Sequence, residues 1–229
     1  MQAADVMTRE VISITPETEV REIVELMLRN RVSAVPVTDA TGKVLGMVSE
    51  GDLMRRAENR TDRRDSWWLK ELFAPSETPD SYIRTHGKRA QDIMTPSPVT
   101  IGEDTPLYQI AQVLEEKGIK RVPVVRDGKL VGLVSRANLL QGFSSGATTT
   151  PATADDRQIR ERIVEEMRQR LDISPSTTNV VVTSGEVDLW GLVDSDAQKR
   201  GAQVAAESTA GVSVVRNHLK VSPSTLTST

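Results

Sequence analysis

Three observations predict an α+β fold built on an internal duplication. The pattern carried by Asp5 to Leu53 returns 87 residues later in Asp92 to Leu139, with a single-residue gap. Apolar spacing in each copy switches between the period of a strand and that of a helix in the order β-α-β-β-α. A third segment, behind a Ser/Thr-rich run, reads α-β-β-α-β. Two copies of one supersecondary unit are expected to form a pseudo-symmetric pair sharing a core, with a small second domain after them.

In the first repeat, residues 1–53, Val11 to Ile14 reads as a short strand. Thr15-Pro16-Glu17-Thr18-Glu19 then supplies the Pro and acidic residues that start a helix. Val20, Ile23, Val24 and Met27 fall at i, i+3, i+4 and i+7, the spacing of one buried helical face. Val32 to Val37 reads as a strand, Asp39-Ala40-Thr41-Gly42 as a turn, Val44 to Val48 as its hairpin partner, and Glu50 onward as a second helix. The second repeat, residues 92–142, copies this order with Leu107, Ile110, Val113 and Leu114 as its stripe and the shorter turn Arg126-Asp127-Gly128. Between the repeats, residues 54–91 hold nine Arg/Lys against six Asp/Glu together with Trp67-Trp68. This insert fits either a helix and loop packing its tryptophans on the pair or an aromatic anchor for another subunit.

Residues 143–154 read as a flexible polar linker. A domain over 155–222 follows. Ile159, Ile163, Met167 and Leu171 recur every four residues behind Asp155 and Asp156 as candidate caps. Val180 to Thr183, the Ser184-Gly185 turn and the alternating Val187, Leu189, Gly191, Val193 form a hairpin with one buried face. Ser195-Asp196 starts a further helix, Gly211 follows its end, and Val212 to Val221 returns as a last strand before a disordered tail at 223–229. Trp190 alternates with Leu189 and is expected to point outward. Arg157, Arg160, Arg162, Arg168 and Arg170, interleaved with Glu161, Glu165 and Glu166, read as a salt-bridged solvated face.

Composition narrows the chemistry. The 27% charged and 38% hydrophobic content is that of an ordinary soluble protein. There is no cysteine, which removes disulfides, thiolate zinc sites and a cysteine nucleophile. With two histidines, His86 and His218, a histidine metal site or a catalytic triad has almost nothing to draw on. A net charge of −3 argues against generic nucleic-acid binding. The N-terminus lacks basic and apolar targeting regions, and a cytoplasmic protein is expected.

The doubled Asp-apolar-Met-Thr opening, the Val-Pro-Val strands (Val35, Pro36, Val37; Val122, Pro123, Val124) and the endings Gly46-Met47-Val48-Ser49-Glu50-Gly51-Asp52-Leu53 and Gly132-Leu133-Val134-Ser135-Arg136-Ala137-Asn138-Leu139 resemble a tandem pair of CBS domains, a Bateman module. Gly185-Glu186-Val187-Asp188-Leu189-Trp190-Gly191-Leu192-Val193 and Ala210-Gly211-Val212-Ser213-Val214-Val215-Arg216-Asn217 resemble a BON domain. The CBS resemblance implies adenine-nucleotide ligands in the clefts between repeats: AMP, ADP or ATP, with NAD and S-adenosylmethionine as further candidates. It assigns Ser49 and Asp52 to a first cleft completed by Thr95, Pro98 and Thr100. A second cleft takes Ser135, Asn138, Lys120 and Arg121 with Thr8, Val11 and Ser13.

The chemistry of the first set fits, because a ribose diol needs a carboxylate acceptor and a helix start offers N–H groups to phosphate. Asn138 stands where the pattern has a carboxylate, so its ribose contact is a neutral hydrogen bond, weaker by about 1 kcal/mol. Ser33-Ala34 stands in the place of Lys120-Arg121, so the first cleft lacks their cations unless Arg31 turns inward. Ser, Asp and Asn are also favoured helix caps, and Ser49, Asp52, Ser135 and Asn138 equally fit that role.

BON domains are expected to attach to phospholipid or to a membrane or envelope partner, although this one shows no basic amphipathic helix with exposed aromatics. The combined expectation is a non-catalytic regulatory homodimer, cytoplasmic or peripheral to the inner membrane, whose nucleotide occupancy is relayed to the BON domain. The alternative is a ligand-free dimerisation scaffold that presents the BON domain.

Overall fold

The computed structural model describes residues 1–54, 87–145 and 153–222. Most of the inter-repeat insert, with Trp67 and Trp68, the centre of the linker and the tail therefore lie outside the described residues. The chain divides into two compact units: one comprises Met1–Val11, Val99–Asp127 and Val131–Thr229, the other Ile12–Pro98 and Gly128–Leu130.

The second of these units is built on helix α2 (Val20–Arg29), the hairpin β1 (Ala34–Thr38) and β2 (Val44–Ser49), a helix α3 that opens at residues 50–54, the short helix α4 (Ala90–Ile93) and strand β3 (Thr95–Pro96). Ile23 and Met27, one turn apart on α2, are buried with Val35, Val37, Val48, Ala90 and Ile93. Val24 is exposed, because a rotation of about 100° from Ile23 carries it off that narrow stripe. The expected strand at Val11 to Ile14 reduces to one parallel bridge, Ile14 to Val37. Val11 N–H turns back to Arg9 C=O, so only Ile14 reaches β1, donating to Pro36 C=O and accepting from Thr38 N–H.

In the β1–β2 turn, Asp39 Oδ1 accepts from Thr41 Oγ1 at 2.6 Å and from the Thr41 and Lys43 amides. The Thr41 hydroxyl, followed by the Lys43 amide, holds the Asp39 carboxyl below its usual value. Gly42 takes the φ of +86° that closes the turn.

In the first unit, helix α1 (Ala3–Val6), strand β4 (Ile101–Gly102), helix α5 (Leu107–Glu116), strand β5 (Arg121–Arg126), strand β6 (Lys129–Ser135) from Val131 onward and helix α6 (Arg136–Ser144) enclose Val6, Met7, Ile110, Leu114, Val122, Val124 and Val134. Leu107, Ile110 and Leu114 are buried as the spacing predicts, and Val113 packs at the margin. Asp127 and Gly128, at φ +51° and +78°, form the tight turn between β5 and β6.

The opening Asp-apolar-Met-Thr of each repeat joins the strands of the other repeat. Thr8 pairs in both directions with Leu133 on β6, and β3 pairs antiparallel with β2 through Met47 and Thr95. The glycines of the two Gly-x-Val-Ser motifs explain the fit: a Cβ on Gly132 would lie 2.4 Å from Met7 Sδ, and one on Gly46 the same distance from Met94 Sδ. The methionines use the room those glycines leave.

The same unit holds the α-β-β-α-β segment: α7 (Ala154–Leu171), β7 (Thr178–Thr183), β8 (Glu186–Val193), α8 (Asp196–Glu207), β9 (Val214–Asn217) and β10 (Lys220–Val221). Ile159, Ile163 and Met167 pack with Val180, Leu189, Ala202, Ala206 and Leu219. The helix cap is Thr153 rather than Asp155 or Asp156. Asp156 is the acidic partner of that capping box and reaches on to the hairpin amides of Ser184 and Gly185 at 3.1 and 2.9 Å. The expected last strand is interrupted at His218-Leu219 but keeps one register against β8, Glu186 facing Val214 and Leu192 facing Lys220. Trp190 does not stand clear of the protein: its indole stacks on the His218 ring at 3.9 Å. Among the described residues no helix is long and apolar enough to cross a membrane.

Candidate functional site

In the unit of the first repeat, β2 ends at Ser49 and α3 begins at residue 50. Opposed residues in an antiparallel pair, and residues two apart along a strand, share a face. Met47, Ser49 and Thr95 therefore lie together on the face turned away from Val48 and Met94. Asp52 is drawn to this corner, its Oδ2 accepting from Ser49 Oγ at 2.6 Å and from Ser49 N–H at 2.9 Å. Thr95 is exposed and Pro98, three residues on, is half-buried.

The second repeat repeats the geometry with Asn138 in place of Asp52 and Lys120-Arg121 in place of Ser33-Ala34. Thr8 pairs with Leu133, two residues before Ser135 on the same face. Asn138 Oδ1 accepts from Ser135 Oγ at 2.6 Å and from Ser135 N–H at 2.8 Å, while Ser135 Oγ caps the Asn138 amide at 3.2 Å. Arg136 N–H donates to Lys120 C=O, as Glu50 N–H does to Ser33 C=O, so the start of β5 lies beside the end of β6. β5, which opens at Arg121, is the sheet neighbour of β6, which ends at Ser135. Lys120 is exposed and Arg121 half-buried.

Ser49, Asp52, Thr95 and Pro98 are thus carried by one compact unit, and Thr8, Val11, Lys120, Arg121, Ser135 and Asn138 by the other. Thr100 belongs to the latter and Ser13 to the former, both exposed. The capping role that the sequence allowed is realised in full at Ser135 and Asn138, and at the first corner by the Asp52 carboxylate, which accepts from the Ser49 amide. Each corner places a hydroxyl and a helix start at a strand end, the groups a phosphorylated sugar recognises.

The arginine series on α7 departs from a solvated face at Arg160, which is 5% exposed. Its Nε donates to Val180 C=O at 2.6 Å, and its Nη2 to Met7 C=O at 2.7 Å and Asn179 Oδ1 at 3.2 Å. Burial, followed by the charge of Arg9, pushes the guanidinium down to about 10, so it remains a cation at neutral pH. Arg157 Nε reaches the buried Asp5 at 2.9 Å, and Asn179 Nδ2 donates to Gln141 Oε1 at 2.8 Å. Spacing contained a signal for this: Arg160 stands three residues before Ile163 and seven before Met167, on the apolar stripe itself.

The family model of the CBS domain matches residues 3–59 and 90–145, and that of the BON domain residues 155–223. Two relatives from Arabidopsis thaliana, the chloroplastic CBS domain-containing proteins CBSX1 and CBSX2, are 36% and 34% identical over 134 and 138 residues. Each alignment takes in 56% of this chain, which spans 57% and 56% of those relatives, little more than half their length. The crystal structure of CBSX2 in complex with AMP superposes with a TM-score of 0.54 at 31% identity, covering 63% of this chain and 97% of that one.

Proposed function

We propose a nucleotide-sensing, non-catalytic regulatory role on one premise: this chain belongs to the CBS-domain family, as a CBS pair followed by a BON domain. The ligand is an adenine nucleotide. Ser49, Asp52, Thr95, Pro98 and Thr100 serve the first cleft, and Thr8, Val11, Ser13, Lys120, Arg121, Ser135 and Asn138 the second. The observation that carries this reading is the corner that each repeat builds, a capped helix start beside a threonine from the exchanged opening segment. The AMP complex of CBSX2 supports it from outside. Asp52 brings a carboxylate for a ribose diol, whereas Lys120 and Arg121 bring cations for phosphate.

Isothermal titration with AMP tests the assignment. Asp52→Asn is the informative variant, because Asn138 makes the same cap bonds as Asp52 and the substitution removes only the charge. Binding is expected in the wild type, weakened several-fold by Asp52→Asn and by Arg121→Ala, and strengthened by Asn138→Asp. No heat with AMP, ADP, ATP, NAD or S-adenosylmethionine would leave the scaffold reading, which the completed helix caps favour.

The protein acts as a homodimer through repeat helices. Support comes from α5 and α6, which present Tyr108, Leu140 and Phe143 to solvent, Leu140 at 68% exposure. The BON domain engages a membrane or protein partner, which places the protein in the cytoplasm or peripheral to the inner membrane.

A further inference from the structure

The BON domain holds the two elements that frame the second repeat's nucleotide corner. Arg160 grips the main chain of the opening segment at Met7 C=O, the residue before Thr8. Asn179 meets Gln141, one turn beyond Asn138 on α6. Arg157 pairs with Asp5 at the start of the same opening segment. Thr8, in turn, bonds both ways to Leu133, two residues from Ser135. We infer that the BON domain is the docked intramolecular partner of this corner, so that its seating and nucleotide occupancy at Thr8, Ser135 and Asn138 are coupled directly rather than through the linker. The inference rests on the nucleotide reading proposed above.

The interface has the chemistry of a reversible contact. Arg160, a buried cation, is satisfied by three neutral oxygens, one of which comes from the opening segment. For Arg160, undocking would exchange that oxygen for water, so that the Arg157–Asp5 pair, with Asp5 buried, is the costlier contact to separate. The ion pairs Arg9–Glu161 and Arg168–Glu10, at 3.6 and 3.5 Å, are half-exposed and hold weakly. A cavity of about 300 Å³ beside Met7, Arg9, Val164 and Met167 lowers the packing that separation would break. Polar, incompletely packed contacts of this kind are typical of domains that move relative to their neighbours. Docking fixes the Met7–Thr8 segment, so the nucleotide meets an ordered site, and by reciprocity the nucleotide holds the BON domain.

Hydrogen exchange and AMP titration on the full chain test the coupling. In the wild type, AMP is expected to slow amide exchange in residues 5–11 and 154–180. Arg160→Met should speed exchange over 5–11 and weaken AMP binding by about 5-fold, at the low end of typical coupling between sites. The double variant Arg157→Ala/Gln141→Ala, which leaves the BON core intact, should shift both readouts in the same direction. Unchanged AMP affinity in both variants overturns the coupling while the nucleotide reading stands. Absence of AMP binding in the wild type overturns both.

Discussion

Asp156 shows how one side chain can serve two elements. Its carboxylate accepts from Thr153 N–H and Oγ at the start of α7 and from Ser184 and Gly185 N–H in the β7–β8 turn. Burial alone would raise its pKa, but these donors, led by the Thr153 and Gly185 amides, outweigh it and hold the carboxyl below its usual value. The folded state therefore binds this proton less readily than the unfolded chain. Its stabilisation is complete above the unfolded value and is lost as pH falls through the folded one. Asp156→Asn is expected to cost about 1–3 kcal/mol at pH 7, with the gap to wild type narrowing as pH drops below 4, measured by urea unfolding at both pH values. The position was readable as a helix-start acid, but its second attachment was not. Nothing in a linear pattern says that a turn 28 residues away will fold back onto a cap.

At the scale of elements, hairpins and helices follow their spacing closely, and the departures have local causes. The β7–β8 hairpin is closed by Ser184 and Gly185 at φ +53° and +76°, as its turn residues indicate. Gly191 interrupts the alternation of β8 for a different reason. It adopts φ +118°, and a Cβ there would sit 2.2 Å from Thr177 C=O and 2.7 Å from Thr178 Cα. Because those atoms are backbone, they cannot rotate aside. Gly191→Ala is expected to destabilise the BON domain by about 2–4 kcal/mol, seen as a lower urea midpoint at unchanged slope. The strand expected at Val11 to Ile14 shrank to a single bridge because strand length depends on how many residues a neighbour meets, which local sequence does not contain.

At the scale of the molecule, the same physics that buries the repeat cores leaves apolar side chains on their helices. Tyr108 and Leu140 are 66% and 68% exposed on α5 and α6. Burying them against a second copy would remove apolar surface from water at roughly 25 cal/mol per Å². Sedimentation of the wild type is expected to give twice the monomer mass, and Tyr108→Glu/Leu140→Glu the monomer mass with stability within about 0.5 kcal/mol, since both sites are surface positions. A monomeric wild type at micromolar concentration would remove the dimer from the proposal.

The sequence by itself determined the duplication, the α+β class, the hairpins and the two family resemblances. Each of these is written in spacing, turn chemistry or repetition along the chain. That each repeat's opening segment serves the other repeat was implied by the resemblance, but only tertiary structure decided how it is seated, with Gly46 and Gly132 making room for Met94 and Met7. It also supplied the partner of Arg160: spacing places that residue on the apolar stripe, but only the fold brings Met7 C=O to its guanidinium. The physical reason is common to both: a side chain's partner is set by what the folded backbone brings beside it, and a buried guanidinium or a methionine slot exists only once that neighbour has arrived.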